Sequence, residues 1–438
     1  MTSLVQGSGD ALVSNTGGTR IAQEPATPRL QGHVSYGVVI LTKLLLLLVI
    51  LDPSGDPMLT LDPGIKAAGQ VIRSAIIPAL ILLMTFSLCV LSTPIRVNVT
   101  ARTALALTLV VLAGGLINGL VANVSWNVWR EFAATLPLLC IPAFLRFTKE
   151  QKVRFATYVA TALVVICTAK VLMGQYCHWQ VYNTLSYKVL LRQSPLLLFP
   201  YSLFLASYLR GVRSPWKTLL FILAVVGMLV AQARALHVAA AIVTFIVLWK
   251  YSTPGKTMGF VVFLGIAALV MTWVSDNRMA EALGRWSGDS YQSTVEYRLE
   301  QTAVLIDRMR EKPILGFGFG YYTPGYESYE DLAIPQILEL DLFNFATKVG
   351  GLFFAVYVLS YWLYGIAHAR LTFVDKRTEL IAMSYVMLIV GLLVYSLFQT
   401  FHASLMFWLF YALAFSFVFG GDVNRPRSRK VAGCLMHV

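Results

Sequence analysis

The chain has 438 residues, of which 57% are hydrophobic and only 13% are charged. Soluble domains carry about 25% charged residues, so this composition, with a mean hydropathy of +0.68, excludes a disordered chain and argues against a soluble enzyme. The formal net charge is +13, but the basic residues lie in short segments between apolar runs. This distribution is typical of a membrane protein with positive cytoplasmic loops, and it argues against nucleic acid as a partner.

Twelve apolar segments approach the length of about 20 residues that a helix needs to cross the hydrocarbon core. One of them is interrupted by Pro137 and Pro142. The sequence therefore predicts an all-α, polytopic integral membrane protein with about twelve transmembrane helices. The predicted spans are 34–51, 71–92, 103–123, 131–147, 153–173, 195–210, 216–233, 235–250, 257–275, 342–366, 378–399 and 403–420.

The distribution of Lys and Arg predicts the orientation of these spans. Basic residues concentrate in the segments that lie inside when the N-terminus is cytoplasmic, whereas the short outside loops hold few. Residues 1–33 are then a flexible cytoplasmic tail, and 422–438 are a basic cytoplasmic tail. Two membrane regions, 34–275 and 341–421, flank one long external loop, 276–340, which carries half of the acidic residues. A loop of this length between tightly connected helices is usually functional.

The external loop contains a predicted amphipathic helix. Ser293 and Glu296 have the spacing of a capping box, which predicts where the helix begins, and Pro313 ends it. The apolar residues that recur at helical spacing, and so form an apolar stripe, are Val295, Leu299, Ala303, Ile306 and Met309.

A glycine-rich turn follows this helix, with alternating glycines at Gly316, Gly318 and Gly320. Alternating glycine permits the backbone either to approach a ligand or to pack tightly against other backbone. From periodicity alone, a helix lying on the membrane surface with a glycine-rich turn explains the segment as well as a functional site does.

The stretch YRLEQTAVLIDRMREKPILGFGFGYY resembles the signature of the O-antigen ligase and O-antigen polymerase superfamily. Those proteins carry an Arg, an amphipathic helix and a Pro-x-x-Gly-x-Gly turn in a large periplasmic loop. Two further segments are similar: AQARALHVAAAIV places Arg234 on the family's arginine, and ELDLFNFATKVGGLFF matches the return to the membrane. Counting back from Gly350, Glu339 stands where the ligases have a histidine. This departure favours the polymerase subgroup.

The resemblance implies a glycosyltransferase of the bacterial inner membrane with its active site on the periplasmic side. It would transfer or polymerise a polyprenyl-pyrophosphate-linked oligosaccharide. The acceptor is a second lipid-linked glycan in a polymerase, or lipid A-core in a ligase. The implied partners are this donor, the lipid bilayer and polysaccharide export or chain-length machinery. No cofactor is implied. We expect no metal either, because the outer turns hold no convincing acidic cluster.

Four arginines are candidates for binding the pyrophosphate, because the guanidinium fork pairs with phosphate oxygens. Arg234 lies at an outer helix junction, where an ionisable group is a functional candidate, and an interfacial anchor is the alternative. Arg298 takes the family's arginine position in the loop helix, and a surface ion pair is the alternative. Arg285 and Arg130 are further candidates.

The acceptor hydroxyl needs a general base. Glu339 and Asp341 lie where the loop re-enters the membrane. Asn344 and Lys348 continue a polar stripe, which is expected to face a cavity or another helix and not lipid. The alternative is that both carboxylates interact only with the start of the helix. His237, one turn after Arg234, is the third candidate base, with a structural hydrogen bond as its alternative.

A secondary transporter or flippase is the competing class. Such proteins often show two similar halves, whereas this chain shows no such symmetry and its one long loop lies off-centre. A structural or assembly membrane protein would not need Arg234 at an outer helix junction. The sequence therefore favours the glycosyltransferase.

Overall fold

The chain folds as an α-helical membrane protein, here in a computed structural model. The structure describes residues 28–51, 76–89, 99–123, 125–181, 193–212, 214–231, 233–262, 265, 289–321, 340–369, 371–372, 376–397, 404–419 and 425–426. Within these residues, five helical segments are long and apolar enough to cross a membrane: Val99–Ala122, Asn127–Leu145, Lys149–Met173, Gly351–Ala369 and Lys376–Ser396. Shorter apolar helices are Tyr36–Leu51, Ser194–Leu209, Pro215–Val230, Ala235–Tyr251 and Leu405–Phe419.

The elements follow one another in a simple order. The α-helices are α1 (Pro28–Leu51), α2 (Ile77–Cys89), α3 (Val99–Ala122), α4 (Ser125–Ala133), α5 (Ile141–Leu145), α6 (Lys149–Val181), α7 (Leu198–Leu209), α8 (Pro215–Val230), α9 (Arg234–Tyr251), α10 (Asp289–Glu311), α11 (Asp341–Val349), α12 (Gly351–Ala369), α13 (Lys376–Ser396) and α14 (Leu405–Phe419). Short 3₁₀ helices, Leu136–Cys140 and Ser194–Leu197, precede α5 and α7. Two strands of two residues each, β1 (Leu371–Thr372) and β2 (Arg425–Pro426), pair antiparallel.

Local sequence signals set several helix starts. At the start of α6, the Thr148 N–H donates to Gln151 Oε1 at 2.9 Å, and the Gln151 N–H donates to Thr148 Oγ1 at 3.3 Å. This is a capping box, which satisfies two backbone donors that a helix start leaves open. Pro215 stands at the first position of α8, where its missing N–H costs nothing.

Helices α3 and α12 pack antiparallel through small residues. Thr108 on α3 donates a hydrogen bond to Ser360 on α12 at 3.0 Å, and two turns along α3 Gly114 faces the ring of Phe353. Small residues and interhelical hydrogen bonds are the usual means by which membrane helices approach closely. The site described below lies against this pair of helices.

Charged residues at one end of the bundle belong to segments that the loop charges predict to be cytoplasmic. Arg210, at the end of α7, contacts Glu379 near the start of α13 at 3.1 Å. Lys250, at the end of α9, reaches the same carboxylate at 3.6 Å. Lys152 on α6 donates to the backbone of Ser416 on α14 at 3.4 Å. These contacts agree with the prediction that the segments lie on the same side of the membrane. The number of spans, and which side this is, stay predictions.

Three of the predicted spans are not single α-helices. Segment 195–210 begins in the 3₁₀ helix Ser194–Leu197 and continues in α7. Segment 131–147 is divided into α4, a 3₁₀ helix and α5, with prolines at the start of the last two. Segment 342–366 is divided into α11 and α12 at Gly350, whose φ is +85°. The predicted span 71–92 coincides with α2 only in part. In the predicted span 257–275, the structure describes residues 257–262 and 265, which are helical.

Candidate functional site

The glycine-rich turn lies between the end of α3 and the end of α11. The Phe317 and Gly318 N–H groups donate to the carbonyls of Thr347 and Lys348, at 3.1 and 2.8 Å. On the other side, the Phe319 N–H donates to the carbonyl of Gly115 at 2.9 Å. The turn is therefore held by backbone hydrogen bonds on both sides. Of the two interpretations that the alternating glycines allow, the structure shows tight packing against backbone.

Each glycine of the turn is required by its backbone conformation and by its surroundings. Gly316, Gly318 and Gly320 have φ values of +62°, +82° and +78°, which other residues rarely adopt. A Cβ atom on any of them would also collide with backbone, at Gly350, Gly119 and Val128 respectively.

Two asparagines at the end of α3 bind the remaining carbonyls of the turn. Asn118 Nδ2 donates to the carbonyls of Leu315 and Gly316, at 3.1 and 2.9 Å. Asn123 Nδ2 donates to the carbonyls of Phe317 and Phe319, both at 2.8 Å. Two hydrogen bonds from each amide thus hold the turn against the end of α3.

A buried ion pair joins α4, α11 and the turn. Lys348 Nζ lies 2.5 Å from Glu131 Oε1, and the Gly320 N–H donates to Glu131 Oε2 at 2.9 Å. The side chains of Lys348 and Glu131 are 8% and 16% exposed. A pair so far removed from water is costly to form and more costly to break, so it links the three elements strongly.

The ion pair borders a cavity of about 30 Å³, which has room for about two water molecules. Its polar lining includes Asp341 and Asn344 beside Lys348, and Asp341 is only 2% exposed. The three polar residues of the predicted stripe therefore line this cavity, whereas their catalytic role stays a prediction. The whole lining is Leu112, Glu131, Thr135, Phe319, Asp341, Asn344, Phe345, Lys348 and Trp408.

The loop helix α10 packs on α11 through a face other than the predicted apolar stripe. Leu305 is fully buried and lies in a cluster with Leu340 and Phe343, and Gln301 is also buried. Leu299, a member of the stripe, is 64% exposed. The stripe therefore does not form this contact, and the alternative of a helix lying on the membrane surface stays open. The helix also begins at Asp289, four residues before the predicted cap at Ser293.

The last turns of α10 carry paired surface charges. Arg308 contacts Glu311 at 2.8 Å, and Arg310 contacts Asp307 at 3.1 Å. The hydrogen bond to Glu311 raises the pKa of Arg308. Just beyond the helix, Phe317 stacks on Tyr321 with ring centroids 4.2 Å apart, and partial burial raises the pKa of Tyr321.

His237 does not line the cavity. It lies in the first turn of α9, which begins at Arg234, and its Nε2 is 3.2 Å from the carbonyl oxygen of Met228 on α8. A carbonyl only accepts, so Nε2 carries the proton and donates it. This is the structural hydrogen bond that was the alternative to a catalytic histidine, and a catalytic role stays a prediction.

Several predicted site residues lie outside the described part of the chain. Glu339 and Arg285 are in this group. The backbones of Arg130, Arg234 and Arg298 belong to α4, α9 and α10, whereas their side chains are not described. Among the residues that the structure describes, no three His, Cys, Asp or Glu side chains come together to hold a metal ion; the metal requirement stays a prediction.

Glu131 is the site residue that the sequence interpretation missed. It follows Arg130 at the predicted outer interface and stands inside an apolar segment. A charged residue in such a segment is a signal in itself, because it needs a partner. Lys348, in another apolar segment, carries the complementary charge, but the sequence separation of 217 residues conceals the pairing.

The fold and the site define an α-helical membrane protein in which a glycine-rich segment packs on the helix bundle beside a buried ion pair and a small cavity. No family model, curated protein or solved structure matches the chain. The resemblance of three sequence segments to the O-antigen ligase and polymerase superfamily therefore stays a prediction.

Proposed function

We propose that the chain is a membrane glycosyltransferase that transfers or polymerises a polyprenyl-pyrophosphate-linked glycan. The observation that carries the proposal is that two of the segments similar to the superfamily are in direct contact. Gly318, in the loop signature, donates its N–H to the carbonyl of Lys348, in the re-entry segment, at 2.8 Å. Both segments contribute side chains to the lining of one small cavity, which also holds the carboxylate of Asp341.

In the proposed reaction, the acceptor hydroxyl attacks the anomeric carbon as the bond to the pyrophosphate oxygen breaks. The acceptor proton passes to a carboxylate, which acts as general base. A cavity of about 30 Å³ accommodates a hydroxyl group or water and not a sugar ring, so the sugar remains at its mouth. The pyrophosphate takes the negative charge, which Arg234 and Arg298 stabilise.

The two carboxylates at the re-entry point have separate tests. We expect Glu339→Gln to lose most transfer and still bind donor, because phosphate recognition belongs to the arginines. Asp341 lines the cavity, and Asp341→Asn is the paired variant. A dead Asp341→Asn beside an active Glu339→Gln would make Asp341 the base. If both variants are active, neither carboxylate is the base.

The decisive assay supplies the purified protein with a lipid-pyrophosphate-linked repeat unit, with and without lipid A-core. A polymerase extends the repeat unit on its lipid, whereas a ligase moves it to lipid A-core. We expect extension, which continues in EDTA because arginine supplies the positive charge. If no glycosidic bond forms with either acceptor, in the presence or absence of Mg²⁺, the proposal fails.

A specific observation favours a second candidate, a transporter or flippase of lipid-linked glycan. Two segments predicted to cross the membrane, those of α4–α5 and α11–α12, are broken, and the Glu131–Lys348 pair lies beside both breaks. Discontinuous membrane helices near buried charges are common in transporters. Movement of the lipid-linked glycan across liposomes without any new glycosidic bond would favour this function.

A further inference from the structure

The chain from Pro313 to Gly320 runs along two helices that are long and apolar enough to cross a membrane, α3 and α12. Asn118 on α3 donates a hydrogen bond to the carbonyl of Leu315 at 3.1 Å. The Leu352 N–H, at the start of α12, donates to the carbonyl of Pro313 at 3.0 Å. The segment therefore contacts the membrane-crossing helices themselves.

These contacts place the segment below the end of α3. That helix ends at Ala122, and Asn118 lies four residues before this end, which is about 6 Å at the helical rise. The Phe319 N–H donates to the carbonyl of Gly115 at 2.9 Å, seven residues or about 10 Å before the end. Irregular backbone thus lies beside the last two turns of a helix that is predicted to cross the membrane.

The backbone polar groups of this segment find partners inside the protein. Five consecutive N–H groups, those of residues 316 to 320, each donate to a protein acceptor. The carbonyls that accept from protein donors are those of Pro313, Leu315, Gly316, Phe317 and Phe319. A loop surrounded by water does not need this pairing. Lipid offers neither donors nor acceptors, so irregular backbone at membrane depth occurs only where the protein or a water-filled cavity supplies the partners.

Two apolar side chains of the segment point away from the bundle. Ile314 and Leu315 are 58% and 50% exposed. Leu352, beside them at the start of α12, is 56% exposed, and Ile117 near the end of α3 is 64% exposed. Exposed apolar side chains on membrane-crossing helices face lipid, so Ile314 and Leu315 connect the lipid-facing surfaces of the two helices.

Charged residues end just before this apolar surface begins. Asp307 and Arg310, on the last turns of α10, form a largely exposed ion pair, which requires water. Lys312 and Pro313 are also exposed, and the apolar pair at 314 and 315 follows directly. The change from charged to apolar exposed residues at Pro313 is the change expected where a chain passes from water into the acyl chains of a bilayer.

We propose that the glycine-rich segment lies at membrane depth, with Ile314 and Leu315 in contact with the acyl chains of the leaflet on that side. The occupant of this apolar surface is the bilayer and not a protein partner, because the surface continues the lipid-facing sides of α3 and α12. The segment is then a shallow re-entrant element. The cavity at Asp341 lies at the depth of Phe319, which lines it. This proposal does not depend on glycosyl transfer.

The test uses the full chain in liposomes of phosphatidylcholine and phosphatidylglycerol, with a nitroxide spin label on single cysteines and the five native cysteines replaced by alanine. Molecular oxygen concentrates among acyl chains, whereas a Ni(II) chelate stays in water. Collision of the label with each reagent is measured by power-saturation electron paramagnetic resonance. We expect labels at Ile314→Cys and Leu315→Cys to collide severalfold more with oxygen, relative to the chelate, than a label in water does.

Two exposed positions calibrate the measurement. Leu352→Cys, on the membrane-crossing helix α12, is the lipid reference, and Asp307→Cys, on the charged side of α10, is the water reference. The two test positions should match Leu352→Cys. Oxygen-to-chelate ratios equal to that of Asp307→Cys at both test positions would overturn the proposal. Exclusion of both reagents at both positions would also overturn it, because protein would then cover the two side chains.

Discussion

The Glu131–Lys348 pair joins two helices at the site and is largely buried, so removal of one partner tests the arrangement. We expect Glu131→Gln to lower the free energy of unfolding by about 3–5 kcal/mol, because it leaves a buried ammonium without this carboxylate. A denaturant titration of the protein in bicelles measures the change. The double variant Glu131→Gln/Lys348→Met removes both charges and should recover most of the loss.

An exposed pair on the loop helix serves as the control for this substitution. Asp307 and Arg310 are 69% and 77% exposed, and exposed pairs contribute at most about 1 kcal/mol. Asp307→Asn should therefore leave the unfolding curve nearly unchanged. If Glu131→Gln is equally harmless, the buried pair does not hold the site together.

The arginine prediction belongs to the proposed glycosyltransferase. Arg234→Ala and Arg298→Ala should each reduce glycan transfer by about 10²–10³, the usual effect of losing one group that stabilises transition-state charge. Arg→Lys should restore transfer only partly, because Lys lacks the guanidinium fork. Arg310→Ala, on the wet face of the same loop helix, is the control. Near-normal transfer by both site variants at normal protein levels would refute their role.

At the scale of residues, the sequence predicts which site residues share a face of one helix, but it does not predict which residues of two different helices meet. Asp341, Asn344 and Lys348 were predictable as one stripe because all three lie on α11, where helical spacing decides which side chains share a face. Glu131 contacts this stripe from α4, and no local pattern encodes which of many distant segments it meets.

The glycine-rich turn is the element whose sequence is most tightly constrained. Gly318→Ala places a Cβ atom against the backbone of Gly119 and Asn118 and keeps a φ of +82°. A positive φ in a residue other than glycine costs about 1–3 kcal/mol, and the collision of the Cβ atom with backbone adds to this cost. We expect the turn to leave its position, which faster proteolysis within the loop would reveal.

Gly365→Ala is the comparison for that variant. Gly365 lies within α12, and a Cβ atom there meets nothing within 4 Å. Alanine is the better helix former by about 1 kcal/mol, so this variant should be as stable as the original or slightly more stable. Equal protease resistance of the Gly318→Ala and Gly365→Ala variants would contradict the docking of the turn.

At the scale of elements, apolar runs predict where helices lie but not all of the places where they break. Pro137 and Pro142 predict the break in segment 131–147, because proline lacks the backbone N–H that a helix interior needs as a donor. The break at Gly350 depends on a tertiary contact: the Leu352 N–H donates to the carbonyl of Pro313 at 3.0 Å. That contact arises only once the glycine-rich turn has docked, so the sequence of the span does not reveal it.

At the scale of the whole molecule, contacts between helix ends are consistent with alternating spans. At one end, Arg210, Lys250 and Glu379 from three helices meet. At the other, Lys170 on α6 donates to the carbonyl of Ile50 on α1 at 2.9 Å. The hydrogen bonds fix which ends lie together, and the loop charges predict which of them faces the cytoplasm.

Single cysteines therefore test the orientation directly, in a background in which the five native cysteines are replaced by alanine. Asp307→Cys, on an exposed face of the loop helix, should react in intact cells with a maleimide that crosses the outer but not the inner membrane. Gly255→Cys, where a Cβ atom meets nothing within 4 Å, lies in a predicted cytoplasmic loop and should react only after the inner membrane is opened. The side chains are comparably accessible, so a difference in labelling reports the membrane side and not burial. Labelling of both from the same side would overturn the predicted topology, and with it a periplasmic position of the cavity at Asp341.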